Sequence, residues 1–179
     1  GEDLARGLAD FEKCKTLPNP FLRMQGLKVF VDGSLGSETA FISQPYVGKS
    51  GRGIMAWSAE EIRSAIRFCW SRQIEIAFHV IGDAAVEIVV KAAREISAAG
   101  ILGKIHLEHV QLLRPDVIHM MKPLHVHCHM QPCHWLSDKK WLKDKIGDLT
   151  PYLFQWELLR KNKIPISFGS DSPIEPTSL

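Results

Sequence analysis

The stretch IEIAFHVIGDAAVEIVVKAAREISAAGILGKIHLEHV, from Ile74 to Val110, decides the fold. Its opening IEIAFHVI is short and β-branched, with apolar residues on both faces, as a parallel strand covered on each side requires. A helix follows from about Asp83. Val86, Val89, Val90, Ala93 and Ile96 recur on one stripe, and Gly100 is its stop. KIHLEHV (Lys104 to Val110) then returns as a second strand.

The same alternation continues outward in both directions. Upstream, LKVFVDG (Leu27 to Gly33) reads as a strand closed by a turn signal. Ser58 and Glu61 form a capping box ahead of Ile62, Ala65, Ile66 and Cys69 at helical spacing. Downstream, Pro115 opens a short helix through Met121. HVHCHMQP is a further strand. Thr150 and Pro151 supply the N-cap and first position of a helix reaching about Lys161. IPISFGSD, from Ile164, is the last strand. Strands alternating with helices imply right-handed crossovers and a parallel α/β sheet. The opening residues read as a polar lead-in without an element, and 34–57, rich in Gly, Ser and Pro, as a functional loop or lid. No GxGxxG or GxxxxGK turn follows any strand, so nucleotide binding has no support.

Bulk composition narrows the class further. The 179 residues are 45% hydrophobic and 23% charged, with a net charge of +2, as in an ordinary globular domain. Lys139, Lys140, Lys143 and Lys145 are accompanied by Asp138, Asp144 and Asp148. That cluster reads as a solvated face, not a nucleic-acid patch. No apolar run approaches the roughly 20 residues of a membrane span. Cys14, Cys69, Cys128 and Cys133 form no CxxC pair, so a reducing, cytoplasmic setting is the default. The expected partner is a small-molecule substrate, with no nucleic acid and no membrane; a homo-oligomer stays open.

In a β/α barrel, reactive side chains gather at the C-terminal ends of the strands. Here those positions carry Lys28 and Asp32, His79, His109, His129 and Gln131, and Asp171. Taken singly, each has a plain reading: a hydrogen-bonded histidine, a turn-capping Asp171, an exposed strand lysine. Collected at one rim, imidazoles and carboxylate suit a divalent metal, zinc or a harder ion.

Five ordered motifs carry a resemblance: LKVFVDGSLGSETAFISQPY, FHVIGDAAVEIVV, HLEHVQ, MQPCHW and FGSDSPIEP. From about Gly26 onward the chain resembles the metal-dependent amidohydrolase superfamily, specifically its amidohydrolase-3 branch, which includes formamide deformylase-like enzymes. The resemblance implies a distorted (β/α)8 TIM-type barrel with one or two metals, of which this chain covers roughly strands 4 to 8. It implies that Lys28 matches a carboxylated, metal-bridging lysine. It further implies that His79 and His109 are metal ligands, and that Asp171 is both a ligand and the proton acceptor for the attacking water. Asp32, Gly33, Gln131 and His134 match pocket-lining positions and are expected to contact substrate. The implied cofactor is a divalent metal, zinc by ligand type, and the implied reaction is hydrolysis of amide, formamide or cyclic amide C–N bonds.

The resemblance is incomplete. The family's first-strand His-x-His has no counterpart ahead of these motifs, and a full barrel takes about 250 residues. The expectation is a partial hydrolase barrel domain over 1–179, a piece of a longer enzyme. The alternative is a non-catalytic barrel fragment whose open strand edges favour self-association. A serine nucleophile at Ser170 or Ser172 lacks its G-x-S-x-G elbow.

One stretch stands apart. HVHCHMQPCH (His125 to His134) holds four of the chain's eight histidines. His125, His127 and His129 alternate, so they share one face of a strand, with Cys128 on the other. His129 and His134 meet one zinc-ligand spacing only loosely. The stretch reads as a barrel-lining strand, with His129 left open as a ligand.

Overall fold

The computed structural model describes residues 2–16, 19, 21 and 23–174. Five parallel strands form one sheet in sequence order: β1 (Gly26–Phe30), β2 (Glu75–Val80), β3 (Lys104–His109), β4 (His125–Met130) and β5 (Ile166–Phe168). α2 (Ala59–Trp70), α3 (Asp83–Ala98) and α4 (Pro115–Met121) connect the first four strands. This is the parallel α/β sheet that the alternation predicts, and it forms the incomplete β/α barrel that the resemblance implies.

The helices form for the reasons read from the sequence. At the start of α2, Ser58 Oγ accepts from the Glu61 amide (3.2 Å) and the Ser58 amide donates to Glu61 Oε2 (2.8 Å). Such a cap stabilises a helix by about 1 kcal/mol. Ile62, Ala65, Ile66 and Cys69 are buried on one stripe of α2, and Val86, Val89, Val90, Ala93 and Ile96 on one stripe of α3. Gly100, at φ +82°, turns the chain out of α3 as only glycine does at no steric cost.

The strands differ from expectation in one respect that matters for function. β2, β3 and β4 do not bury both faces; burial alternates residue by residue along each. Ile76, Phe78, Val80, Ile105, Leu107, Val126, Cys128 and Met130 pack beneath the helices in the main core. Each large side chain buried there stabilises the fold by roughly 1.5–3 kcal/mol. The other face carries Ala77, His79, His106, Glu108, His127 and His129, half-buried. It is the barrel lumen, and it is polar.

Three further differences have identifiable causes. The opening residues are not a bare lead-in: α1 (Glu2–Lys15) places Phe11 in the main core. No continuous helix runs from Thr150 to Lys161. A 3-10 turn (Gly147–Tyr152) is followed by α7 (Trp156–Lys161). Between them, residues 152–154 pair with the strand-like segment after β3 through Leu113 N–Tyr152 O (2.9 Å) and Phe154 N–Gln111 O (2.8 Å). Phe154 takes φ +46° to do so, and non-local pairing overrides helix propensity. Finally, the MQPCH segment opens α5 (Pro132–Asp138), with Pro132 in its first turn, and α6 (Leu142–Ile146) follows.

A second core sits over the C-terminal rim. Residues 34–57 have neither helix nor strand, yet Leu35, Ala40, Ile42 and Tyr46 are buried against Ile81, Leu112, Leu142 and Ile146. Lys145 is not merely solvated. It donates to the Gly36 carbonyl, pairs with Glu38 at 3.3 Å and lies 5.3 Å from the Trp141 ring centroid. Below this core, Arg114 bridges α3 and α4 through Asp83 (2.6 Å) and Glu87.

Candidate metal centre on the barrel rim

One cavity of about 450 Å³ opens at the C-terminal ends of the strands. Lys28, His79, His109, His134 and Asp171 all line it, with Phe30, Leu35, Ile81, Trp141 and Ile174 as its apolar wall. The structure therefore gathers the four residues read as metal ligands around one space. Lys28 lies at its edge, exposed, with Nζ 5.0 Å from the Phe30 ring centroid.

His109 reaches this cavity by a backbone device. Strict alternation would send it to the helix side with Ile105 and Leu107. His109 and Val110 take φ +75° and +46°, a conformation rare for such residues, and the imidazole swings to the lumen rim. Its ring centroid is 4.5 Å from that of His79.

Two hydrogen bonds fix which nitrogen each ring presents. The Gly33 carbonyl can only accept, so His79 Nε2 donates to it at 3.2 Å and Nδ1 carries the lone pair. That Nδ1 is buried and has no hydrogen-bond partner among the described residues. His109 Nδ1 lies 2.8 Å from Gln131 Oε1, and Gln131 Nε2 donates to the His129 carbonyl at 3.3 Å. The amide orientation makes Oε1 the acceptor, so His109 Nδ1 holds the proton and Nε2 is bare. Burial lowers the pKa of both rings, and for His109, with His79 adjacent, it falls to about 4. Both rings are neutral near pH 7, the form that ligates metals.

His109, His134 and Asp171 each bring a ligand atom within 4.8 Å of the others, and His134 Nε2 is 3.4 Å from Asp171 Oδ2. Tetrahedral ligands of one zinc-like ion lie about 3.3 Å apart. Small side-chain rotations therefore suffice to close three donors on one ion. The donor set, the spacing and the orphaned Nδ1 of His79 all fit a divalent metal.

The residues read as substrate contacts divide. His134 lines the cavity beside Asp171. Asp32, Gly33 and Gln131 do not; they stand behind it. Asp32 accepts from the amides of Phe41 (2.9 Å), Ile81 (3.0 Å) and Gly82 (2.8 Å). Burial pushes its carboxyl up to about 7 against the pull of those amides. Gly33 is required because the Thr39 side chain occupies the place of a Cβ, 1.9 Å from its ideal position. Sequence reading missed the apolar wall, above all Trp141, which no spacing ties to the strand ends. His129 is turned away from the rim cluster and bonds to His106 and Ser167.

A β/α barrel with histidines and a carboxylate on its C-terminal rim is the class that fold and site define. Within it, the Amidohydrolase family model matches residues 4–178, and the chain belongs to that family. It is 31% identical over 169 residues to the putative amidohydrolase YtcJ of Bacillus subtilis (strain 168), covering 93% of this chain and 32% of that protein. It superposes on an uncharacterized metal-dependent hydrolase from Pyrococcus furiosus with a TM-score of 0.82 and 29% identity, over 98% of this chain and 36% of that one. A counterpart from Pyrococcus horikoshii OT3 gives 0.80 at 29% identity, over 98% and 35%. The chain thus spans about a third of the length of the relatives it matches.

Proposed function

We propose that this chain is the rim-bearing part of a metal-dependent hydrolase that cleaves C–N bonds of amides, formamides or cyclic amides. The observation that carries this is the gathering of Lys28, His79, His109, His134 and Asp171 around one cavity. His79, His109 and Asp171, with Lys28 in carboxylated form and His134 alongside, would hold one or two divalent ions, zinc by ligand type. A divalent ion held there supplies an activated water and polarises the substrate carbonyl. Asp171 takes the proton of the attacking water on a carboxylate oxygen and passes it to the leaving nitrogen. The apolar wall of Phe30, Leu35, Ile81, Trp141 and Ile174 excludes water from the substrate's non-reacting part. The reading includes a cytoplasmic, small-molecule enzyme; among the described residues no helix is long and apolar enough to cross a membrane.

Metal analysis of the purified protein that carries this chain is expected to find one to two zinc-like ions. A chelator should abolish hydrolysis of a formamide or cyclic amide, and added zinc should restore it. Undiminished turnover of every amide after complete metal removal would sink the reading.

Gln131→Leu is expected to free the His109 ring and weaken metal affinity about 10–100-fold. Gln131→Glu keeps an acceptor and should recover most of it. Calorimetric zinc titration of both variants checks this, and equal affinities would show that Gln131 does not orient His109.

A second reading has its own observation. Among the described residues β1 pairs only with β2 and β5 only with β4, leaving two sheet edges open. Open edges suit an assembly unit with an incomplete metal site. Hydrolysis by this 179-residue chain as a monodisperse monomer would exclude it.

A further inference from the structure

The histidine-rich stretch is not consumed by the rim. Below the cavity, a second space of about 290 Å³ is lined by Lys28, Glu75, His106, Glu108 and His129. Across it runs an unbroken chain of hydrogen bonds over four strands. Glu75 Oε2 on β2 lies 2.7 Å from His106 Nε2 on β3. His106 Nδ1 lies 2.8 Å from His129 Nε2 on β4, and His129 Nδ1 lies 2.7 Å from Ser167 Oγ on β5.

We infer that Glu75, His106, His129 and Ser167 form a proton-loading site in the barrel lumen, one that reverses its hydrogen-bond direction when it takes up a single proton. The chemistry of the four groups dictates this. An ionised carboxylate only accepts, so His106 Nε2 carries a proton towards Glu75. In the unloaded state His106 Nδ1 is then bare and must accept from His129 Nε2–H. His129 Nδ1 is bare in turn and accepts from the Ser167 hydroxyl. Loading adds one proton at His129 Nδ1 while the Nε2 proton passes to His106 Nδ1. His106 becomes a cation donating to both Glu75 and His129, and His129 becomes the Nδ1–H tautomer donating to Ser167 Oγ. Three protons become four, and all three hydrogen bonds survive. Only the half-buried Ser167 hydroxyl must redirect its proton.

The surroundings place the charge on His106 beside Glu75. His127 stacks on His129 with centroids 4.4 Å apart and planes 9° from parallel. Burial, with His129, Lys104 and His106 nearby, holds His127 below the usual histidine range, and burial, with His106 and Lys104 nearby, holds His129 there too. Among the described residues, the other charged groups lining this space are Lys28 from β1 and Glu108 from β3, whose carboxyl burial raises. The site needs neither metal nor substrate, so it stands apart from the hydrolase reading.

Long-range 1H–15N correlation of the imidazoles in the 15N-labelled chain, from pH 9 to pH 4, tests it. In one transition His106 should become doubly protonated while His129 switches from the Nε2–H to the Nδ1–H tautomer. Glu75→Gln retains an acceptor but loses the counter-charge, and should lower the proton affinity about tenfold, one pH unit. Independent titration of His106 and His129, an unchanged His129 tautomer, or a Glu75→Gln midpoint equal to that of the unaltered chain would each overturn it. If Glu75→Gln does not fold, the tautomer switch in the unaltered chain decides alone.

Discussion

Asp171→Asn is expected to lower turnover of an amide substrate by about 10²–10⁴-fold in the protein that carries this chain, the span of a lost general acid–base group. The substitution is near-isosteric, and it suits the backbone. Asp171 has φ +57°, a conformation that asparagine adopts more readily than most residues. Folding should therefore be unaffected, and the Ile174 amide can still donate to the carbonyl of residue 171. On the proposed mechanism, what is lost is the carboxylate oxygen that takes a proton from water and returns it to the leaving nitrogen. Steady-state kinetics with metal content measured on the same samples checks this. An unchanged kcat at full metal occupancy would remove Asp171 from the chemistry.

How much of this could be read from residues alone depends on whether the signal is local. The capping box at Ser58, the apolar stripes of α2 and α3 and the stop at Gly100 are local patterns, and the structure has each in place. His79, His109 and Asp171 were legible as strand-end residues because barrel topology fixes where strand ends meet. The swing of His109 was not, since nothing in HLEHV marks a left-handed histidine. Alternation taken literally buries it under the helices. The break at Phe154 was equally hidden, because it answers to Gln111 and Leu113, some forty residues earlier in the chain. Gln131 and Asp32 were read as facing substrate because they match pocket-lining motif positions of the family the chain resembles. Their actual bonds, to His109 and to three loop amides, depend on side-chain reach that spacing does not encode. The relay through His106 illustrates the remaining case. The shared face of His127 and His129 was plain from period two, whereas the partner nitrogens on β3 required the register His106↔His127.

Asp32→Ala should destabilise the chain by about 3 kcal/mol or more. Its two oxygens satisfy the amides of Phe41, Ile81 and Gly82, drawn from the rim loop and from the turn after β2. Each buried N–H left without an acceptor costs about 1–3 kcal/mol. Total stability for such a domain is about 5–15 kcal/mol, so this one side chain decides a large fraction of it. The damage should also be directional. Phe41 belongs to the segment that carries Leu35, Ala40, Ile42 and Tyr46 into the second core, and releasing its amide loosens that core before the sheet. Gly33, bonded to Thr39 within the same loop, supplies the carbonyl that orients His79, so the rim should lose its donor geometry as well. Asp32→Asn keeps one acceptor oxygen but turns an NH2 group onto an amide donor, and should cost about 1–3 kcal/mol. Denaturant midpoints measure the loss, and amide hydrogen exchange locates it. The expected pattern is lost protection at Phe41, Ile81 and Gly82 while Phe78 and Leu107, within the sheet, stay protected. Midpoints unchanged in both variants, with Phe41 still protected, would mean that Asp32 does not hold the rim loop to the barrel.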